Sequence, residues 1–429
     1  MPNLFDYLDW RGDLTFEHAP FSEIDNLILS ELSYIDFSGL LQDGFSESLS
    51  LDDASERLSQ YRLEDTVETG LLLPKTILPL FYMAAKTERF RDVRLTGFAV
   101  RSDAESETQF AAVTFLLGDG TAFVAYRGTD DTLVGWKEDF NMTFLPVIPA
   151  QSYALQYLSE MAEHSSELLR IGGHSKGGNL AVYAAASAPL SVQKRIVQVF
   201  NNDGPGFSRA FLDSQGYARI RDRVQTIVPK TSIVGMLLEH EGEYTVVEST
   251  QSGLFQHNGF SWEVCGTKFV RAEALTEDSR FVDRTLKNWV GEMDDETREA
   301  FVEAVYAILS STGGETLADI RDDKEAIRKI LKSVTPEQRA VLQKGIRELI
   351  YAGQRVLREN REERRVEKAQ ERMREEEARL VRRAEREAEA EKKKKRREAL
   401  MVAVRPIRFR IVKAEPIKRN GDPSSGGEE

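Results

Sequence analysis

Cysteine is nearly absent. Of 429 residues only Cys265 carries a thiol, which rules out an intrachain disulfide framework and a cysteine-built zinc cluster. No stretch approaches the ~20 apolar residues that cross a bilayer. The polar, acidic start, residues 1–10, lacks the basic segment and apolar core of a secretory leader, so a cytoplasmic protein is expected. There is no internal repeat of the 20–50-residue kind that builds solenoids. Positive charge is lacking where most of the chain lies. From Tyr351 onward there are 24 Lys and Arg against 17 Asp and Glu, a net of +7, so with −13 overall residues 1–350 carry −20. An acidic body of this kind argues against a dedicated nucleic-acid domain; the basic tail is the one segment suited to an anionic surface. Nothing in the pattern calls for a cofactor or a metal, and none is expected.

What is present is a chain long enough for a catalytic domain plus an appendage, with 41% hydrophobic residues to build a core. Residues 21–41 place Ile24, Leu27, Ile28 and Leu32 on one helical face, and residues 54–61 and 77–85 also read as helices, a helical lead-in. From residue 108 the period changes. Strands are expected at 110–117 and 121–126 around the turn Gly118-Asp119-Gly120, then at 169–172, 196–200, 224–228, 244–248 and 261–269. Helical spacing over 151–168 and 178–188 alternates with them, which predicts an α/β sheet. Beyond Thr285 the pattern is helical, at 299–309, 322–331 and 336–351, the last opened by Thr335-Pro336-Glu337. Residues 355–397 are Glu, Arg, Lys and Ala with no lasting a/d apolar stripe. That suits a solvated helix held by charge pairs better than a two-stranded coiled coil.

The informative segment is Gly172-Gly173-His174-Ser175-Lys176-Gly177-Gly178. It contains Gly-x-Ser-x-Gly as Gly173, Ser175 and Gly177, between an expected strand and an expected helix. A serine on a sharp strand-to-helix turn needs flanking residues without side chains, and the turn lifts its hydroxyl clear of the sheet. Such a motif also arises by chance in Gly-rich loops; the strand before and the helix after favour Ser175 as a nucleophile. His174 reads as a packing residue of the turn.

A serine hydroxyl needs a base. Two histidines follow Ser175. His257 precedes the last expected strand, where a base would fall, whereas His240 lies among Glu239, Glu241 and Glu243 and reads as solvated. Asp203, in Asn201-Asn202-Asp203-Gly204-Pro205, stands at a strand end and is the candidate acid; Asp-Gly-Pro-Gly is also plain turn chemistry. The rival slot, around Pro229-Lys230-Thr231-Ser232, holds no carboxylate. For an oxyanion hole the candidates are Lys176, following the nucleophile, and Thr129 in Tyr126-Arg127-Gly128-Thr129, whose amide and hydroxyl both offer a donor. Arg127 reads either as a surface cation or as a brace paired with a carboxylate such as Asp139.

With Tyr126-Arg127-Gly128-Thr129 upstream and Gly173-His174-Ser175-Lys176-Gly177-Gly178 downstream, the chain resembles the class 3 lipases. It is still more similar to an uncharacterised bacterial α/β-hydrolase family related to them, which shares a start like Asn3-Leu4-Phe5-Asp6-Tyr7-Leu8-Asp9-Trp10-Arg11-Gly12 and a segment like Asn202-Asp203-Gly204-Pro205-Gly206-Phe207. The resemblance spans residues 1–310. It implies an α/β-hydrolase fold, a Ser–Asp–His triad and an ester-type substrate; the basic tail lies outside it, so the expected architecture is an α/β-hydrolase fold with a helical N-terminal lead-in and a long charged C-terminal helix. In class 3 lipases the acid follows the later strand; Ser232 stands in that slot here, so the acid is expected one strand earlier, as in pancreatic lipases. No apolar lid is evident.

The expected division is a hydrolase domain over 1–310, a helical extension over 311–354, a charged helical tail over 355–410 and a disordered end over 411–429. The leading reading is an acyl hydrolase (lipase, esterase or thioesterase) acting on a small-molecule or lipid ester; a peptidase or amidase would use the same groups. The alternative is a catalytically inactive binding protein that keeps the fold and works through its charged helix. Six consecutive cations, residues 392–397 from Lys392 to Arg397, offer a weak contact to anionic lipid or nucleic acid, against a plain solvated spacer. The sequence leaves the oligomeric state open.

Overall fold

Alternation of side chains along the strands sets the layers. In Thr121–Tyr126 every residue is buried, yet Phe123 and Ala125 belong to one hydrophobic cluster while Ala122, Val124 and Tyr126 belong to another. A strand covered on both faces in this way is the centre of a three-layer α/β/α sandwich. The computed structural model describes residues 1–41, 44–61, 75–103, 108–130, 132–142, 145–242, 244–310 and 334–403.

Eight strands form one sheet in chain order: β1 Ser48–Ser50, β2 Arg94–Asp103, β3 Thr108–Leu116, β4 Thr121–Tyr126, β5 Leu168–His174, β6 Ile196–Asn202, β7 Val224–Pro229 and β8 Thr245–Val247. β1 to β4 pair antiparallel. β4 to β8 pair parallel. Helical crossovers join β4, β5, β6 and β7, so the carboxyl ends of these strands share one edge, the edge at which open α/β sheets bind ligands. This is an α/β-hydrolase type of architecture with a helical lead-in and a long C-terminal helix.

One face of the sheet is covered by the lead-in helices Leu4–Arg11, Glu23–Leu32 and Ile77–Ala85, through Leu4, Ile24, Leu27, Ile28 and Phe81 against Phe115, Phe123 and Phe200. A buried ion pair fastens them: Arg89 Nη2 lies 2.6 Å from Asp25 Oδ2, and Tyr7 donates to the same carboxylate at 2.9 Å. The other face is covered by Pro149–His164 and Lys176–Ser187.

β2 and β1 were not expected. β2 carries a register shift between Thr96 and Ala99, where Gly97 takes φ +65° against the Phe45 ring; the bulge and an exposed outer end break the strand's alternation. The expected strand at 261–269 is instead a small hairpin, Val264–Cys265 with Lys268–Phe269, outside the main sheet.

The chain divides into two compact units, Met1–Arg358 and Glu359–Glu429. The helix Pro336–Ala403, 68 residues, contributes to both. In the first unit it buries Ala352 and Val356, and Gly345 accepts a hydrogen bond from the Trp289 indole at 2.9 Å. In the second, its described side chains are exposed from residue 361 onward, with i,i+4 pairs such as Arg383–Glu387 at 2.9 Å. The helix expected at 322–331 and the end at 411–429 lie outside the described residues. No described helix is long and apolar enough to cross a membrane.

Candidate active site

Ser175 stands between β5 and the helix Lys176–Ser187 with φ 56° and ψ −134°, one of three non-glycine residues at positive φ among the described residues. Such a backbone costs of order 1–3 kcal/mol and persists only where its surroundings enforce it. Here they do. A Cβ at Gly173 would lie 2.3 Å from the Gly177 carbonyl carbon, and one at Gly177 would lie 2.1 Å from the Tyr126 carbonyl oxygen. The Ser175 amide donates to Asn202 at 2.9 Å, and the Asn202 side chain donates to the Gly173 carbonyl at 3.0 Å. Asn202 also exchanges hydrogen bonds with Asn26 at 2.8 and 3.1 Å, tying the turn to the lead-in helix Glu23–Leu32.

Asp203, one residue past β6, is fully buried and also at positive φ, 52°. Its Oδ2 is 2.7 Å from His257 Nδ1 and its Oδ1 accepts from the Ser232 hydroxyl at 2.5 Å. An ionised carboxylate only accepts, so Nδ1 carries the proton and Nε2 is left as the basic nitrogen. Ser232, where class 3 lipases have their acid, thus supports the carboxylate from the preceding strand.

The His257 loop is pinned on both sides. The Trp262 indole, fully buried, donates to the Gln256 carbonyl at 2.9 Å, and Gln256 Oε1 accepts from the Thr231 amide at 2.8 Å. His174 holds the loop from beneath: its Nε2 donates to the His257 carbonyl at 2.7 Å and the rings lie 4.6 Å apart. Burial first, then the neighbouring His257, lowers the His174 pKa to about 3, so it stays neutral. His240, expected in solvent, is instead packed against Gly206 and the Tyr244 ring, and burial lowers its pKa to about 4.

The turn after β4 and the helix Leu133–Asn141 form the opposite wall. The Thr129 hydroxyl donates to Asp139 at 2.6 and 2.7 Å, so only its backbone N–H is left for a ligand. Burial raises the Asp139 pKa to about 6, against the lowering effects of Lys176 and Thr129. Arg127 approaches Asp130, at 3.7 Å, rather than the expected Asp139. The Lys176 ammonium is buried and spends its donors on Glu138 Oε2 at 2.8 Å and on Gln109 O and Oε1 at 2.9 and 2.7 Å. It is therefore an anchor, and what Lys176 keeps unpaired is its amide, at a helix start with no intrahelical acceptor.

Ser175, His257, Thr129, Lys176 and Asp139 border one cavity of about 490 Å³. Ser175 and His257 make no hydrogen bond to each other among the described contacts; such bonds are often long until substrate binds. The roof corrects an expectation. Leu286, Trp289, Val290 and Met293 of the helix Glu277–Glu292 and its C-cap, with Phe301, Val302 and Val305 of Asp295–Ser310, form an apolar cover where no lid was evident in the sequence. Lys137 fastens this cover to the wall through Glu303 at 2.6 Å.

A family model described as Mbeg1-like matches residues 84–307, more than half of the chain. The chain belongs to the Mbeg1-like family. No functionally curated protein matches this Mbeg1-like chain. Among solved structures, a crystal structure of M37 lipase is similar at 16% identity and TM-score 0.32, over 49% of this chain and 68% of the other. Lipase II from Rhizopus niveus is similar at 17% identity and TM-score 0.27, over 45% of this chain and 77% of the other. At these values neither likeness says anything of what the Mbeg1-like chain does.

Proposed function

We propose that this chain is a serine hydrolase that cleaves an ester-type acyl substrate through Ser175, His257 and Asp203. The observation that carries the reading is the Asp203–His257 hydrogen bond of 2.7 Å, made by a histidine that borders the same cavity as a serine held at positive φ. In this mechanism His257 Nε2 takes the Ser175 proton as Oγ attacks the acyl carbonyl. The Thr129 and Lys176 amides hold the oxyanion. The imidazolium then gives its proton to the departing alcohol, and water clears the acyl-enzyme by the same steps. Asp203 keeps the imidazole in the tautomer that leaves Nε2 basic and stabilises its charged form. The acyl chain lies under the roof, where Trp289, Met293 and Phe301 offer only apolar contact.

The test is a panel of p-nitrophenyl esters of increasing acyl length, run on wild type and Ser175→Ala. Hydrolysis by wild type and its loss in the variant support the reading; equal rates refute it.

A further inference from the structure

Among the polar groups that border the cavity, Glu31 has no part in this chemistry. Glu31, on the helix Glu23–Leu32, borders the cavity with its side chain only 2% exposed. Its Oε1 is buried with no hydrogen-bond partner. His174 Nδ1 lies 3.9 Å from it, too far for a hydrogen bond. This is no ion pair either: burial raises the Glu31 pKa to about 8 and lowers that of His174 to about 3, so both are neutral near pH 7. A buried carboxyl oxygen without a partner costs stability and calls for an explanation, such as a catalytic role or a bound group that completes it.

Its position says which part of a ligand. A Cβ at Gly259 would lie 2.7 Å from Glu31 Oε1, so the carboxyl rests against the loop two residues beyond His257. In a serine hydrolase the alcohol departs on the side of the base that protonates it. A neutral carboxyl both donates and accepts, which matches a hydroxyl. Resting on the hydrolase reading above, we propose that Glu31 is a specificity residue that hydrogen-bonds a free hydroxyl on the leaving alcohol, so that the substrate is an acyl ester of a polyol.

The experiment compares kcat/KM for the decanoate monoester of glycerol with that for propyl decanoate, which differ by two hydroxyls. In wild type the glyceryl ester is expected to lead by about tenfold or more. In Glu31→Leu the ratio falls towards one; Glu31→Gln, which keeps a donor and an acceptor, retains most of it. Gly259→Ala displaces the carboxyl without removing it, and lowers the ratio even if Glu31→Leu fails to fold. A wild-type ratio near one, or a ratio unchanged in Glu31→Leu or in Gly259→Ala, overturns the assignment. Hydrolysis of both esters without preference refutes Glu31 alone, whereas hydrolysis of neither ester, nor of any p-nitrophenyl ester, refutes the hydrolase reading and this proposal with it.

Discussion

Raising the pH from 5 to 8 should weaken this fold through Glu31, and Glu31→Gln should abolish that part of the loss. The folded-state pKa of about 8 stands against 4.5 for the ordinary carboxyl. Between those values the unfolded chain has released a proton that the folded chain still holds. Stability from this group is therefore fully present below about pH 4.5 and falls as the pH rises towards 8, at about 1.4 kcal/mol per unit. Across pH 5 to 8 the loss is on the order of 3–4 kcal/mol, enough to lower Tm by roughly 5–10 °C in a domain of this size. His174 and Tyr34 also border this part of the cavity. His174 is neutral throughout the window and burial raises the Tyr34 pKa, so neither mimics the effect. Urea unfolding of wild type and Glu31→Gln at several pH values reads it directly as the difference between the two curves. Parallel curves would refute the claim that Glu31 is buried, neutral and unpartnered.

Other outcomes follow from the contacts. Asp203→Asn should cut kcat by roughly 10³–10⁴-fold by spoiling the His257 tautomer, with little change in KM for a p-nitrophenyl ester. Ser232→Ala removes one donor to the same buried carboxylate and should lower stability by about 1.5–3 kcal/mol in urea unfolding. Glu138→Gln removes the nearer carboxylate from the buried Lys176 ammonium, leaving Asp139 at 4.0 Å, and should cost on the order of 3 kcal/mol by the same assay. The exposed helix from residue 361 onward is held by pairs such as Arg383–Glu387 at 2.9 Å. Its amides should therefore exchange hydrogen faster at 1 M salt while those of β4 and β5 do not.

The legible parts of the chain are those whose cause is local. β3 and β4 announce themselves by a turn with two glycines between apolar runs, and the bend at Ser175 by glycines that leave room for Tyr126 and for each other. Asp203 was singled out by its place just beyond β6, whereas His257 was singled out ahead of a strand at 261–269 that the main sheet does not contain; it closes the short helical turn Gly253–His257 instead. What supports them was not legible, because it arrives from afar: Asn26 meets Asn202 across 176 positions, and Lys176 meets Glu138 across 38. The roof was hidden for another reason. Leu286, Trp289, Val290 and Met293 form a stripe at helical spacing among charged neighbours, which looks the same whether it faces a core or a cavity. His240 misled through its acidic neighbours: Glu239 is exposed while the His240 ring packs inward.

The central claim is that Ser175 is a nucleophile made reactive by His257. Intact-mass and peptide mapping after exposure to a fluorophosphonate measures it most directly. The account predicts one adduct per chain, on the peptide containing Ser175, absent from Ser175→Ala and formed far more slowly in His257→Ala. A folded wild-type chain that takes up no label, or takes it up at the same rate without His257, contradicts it.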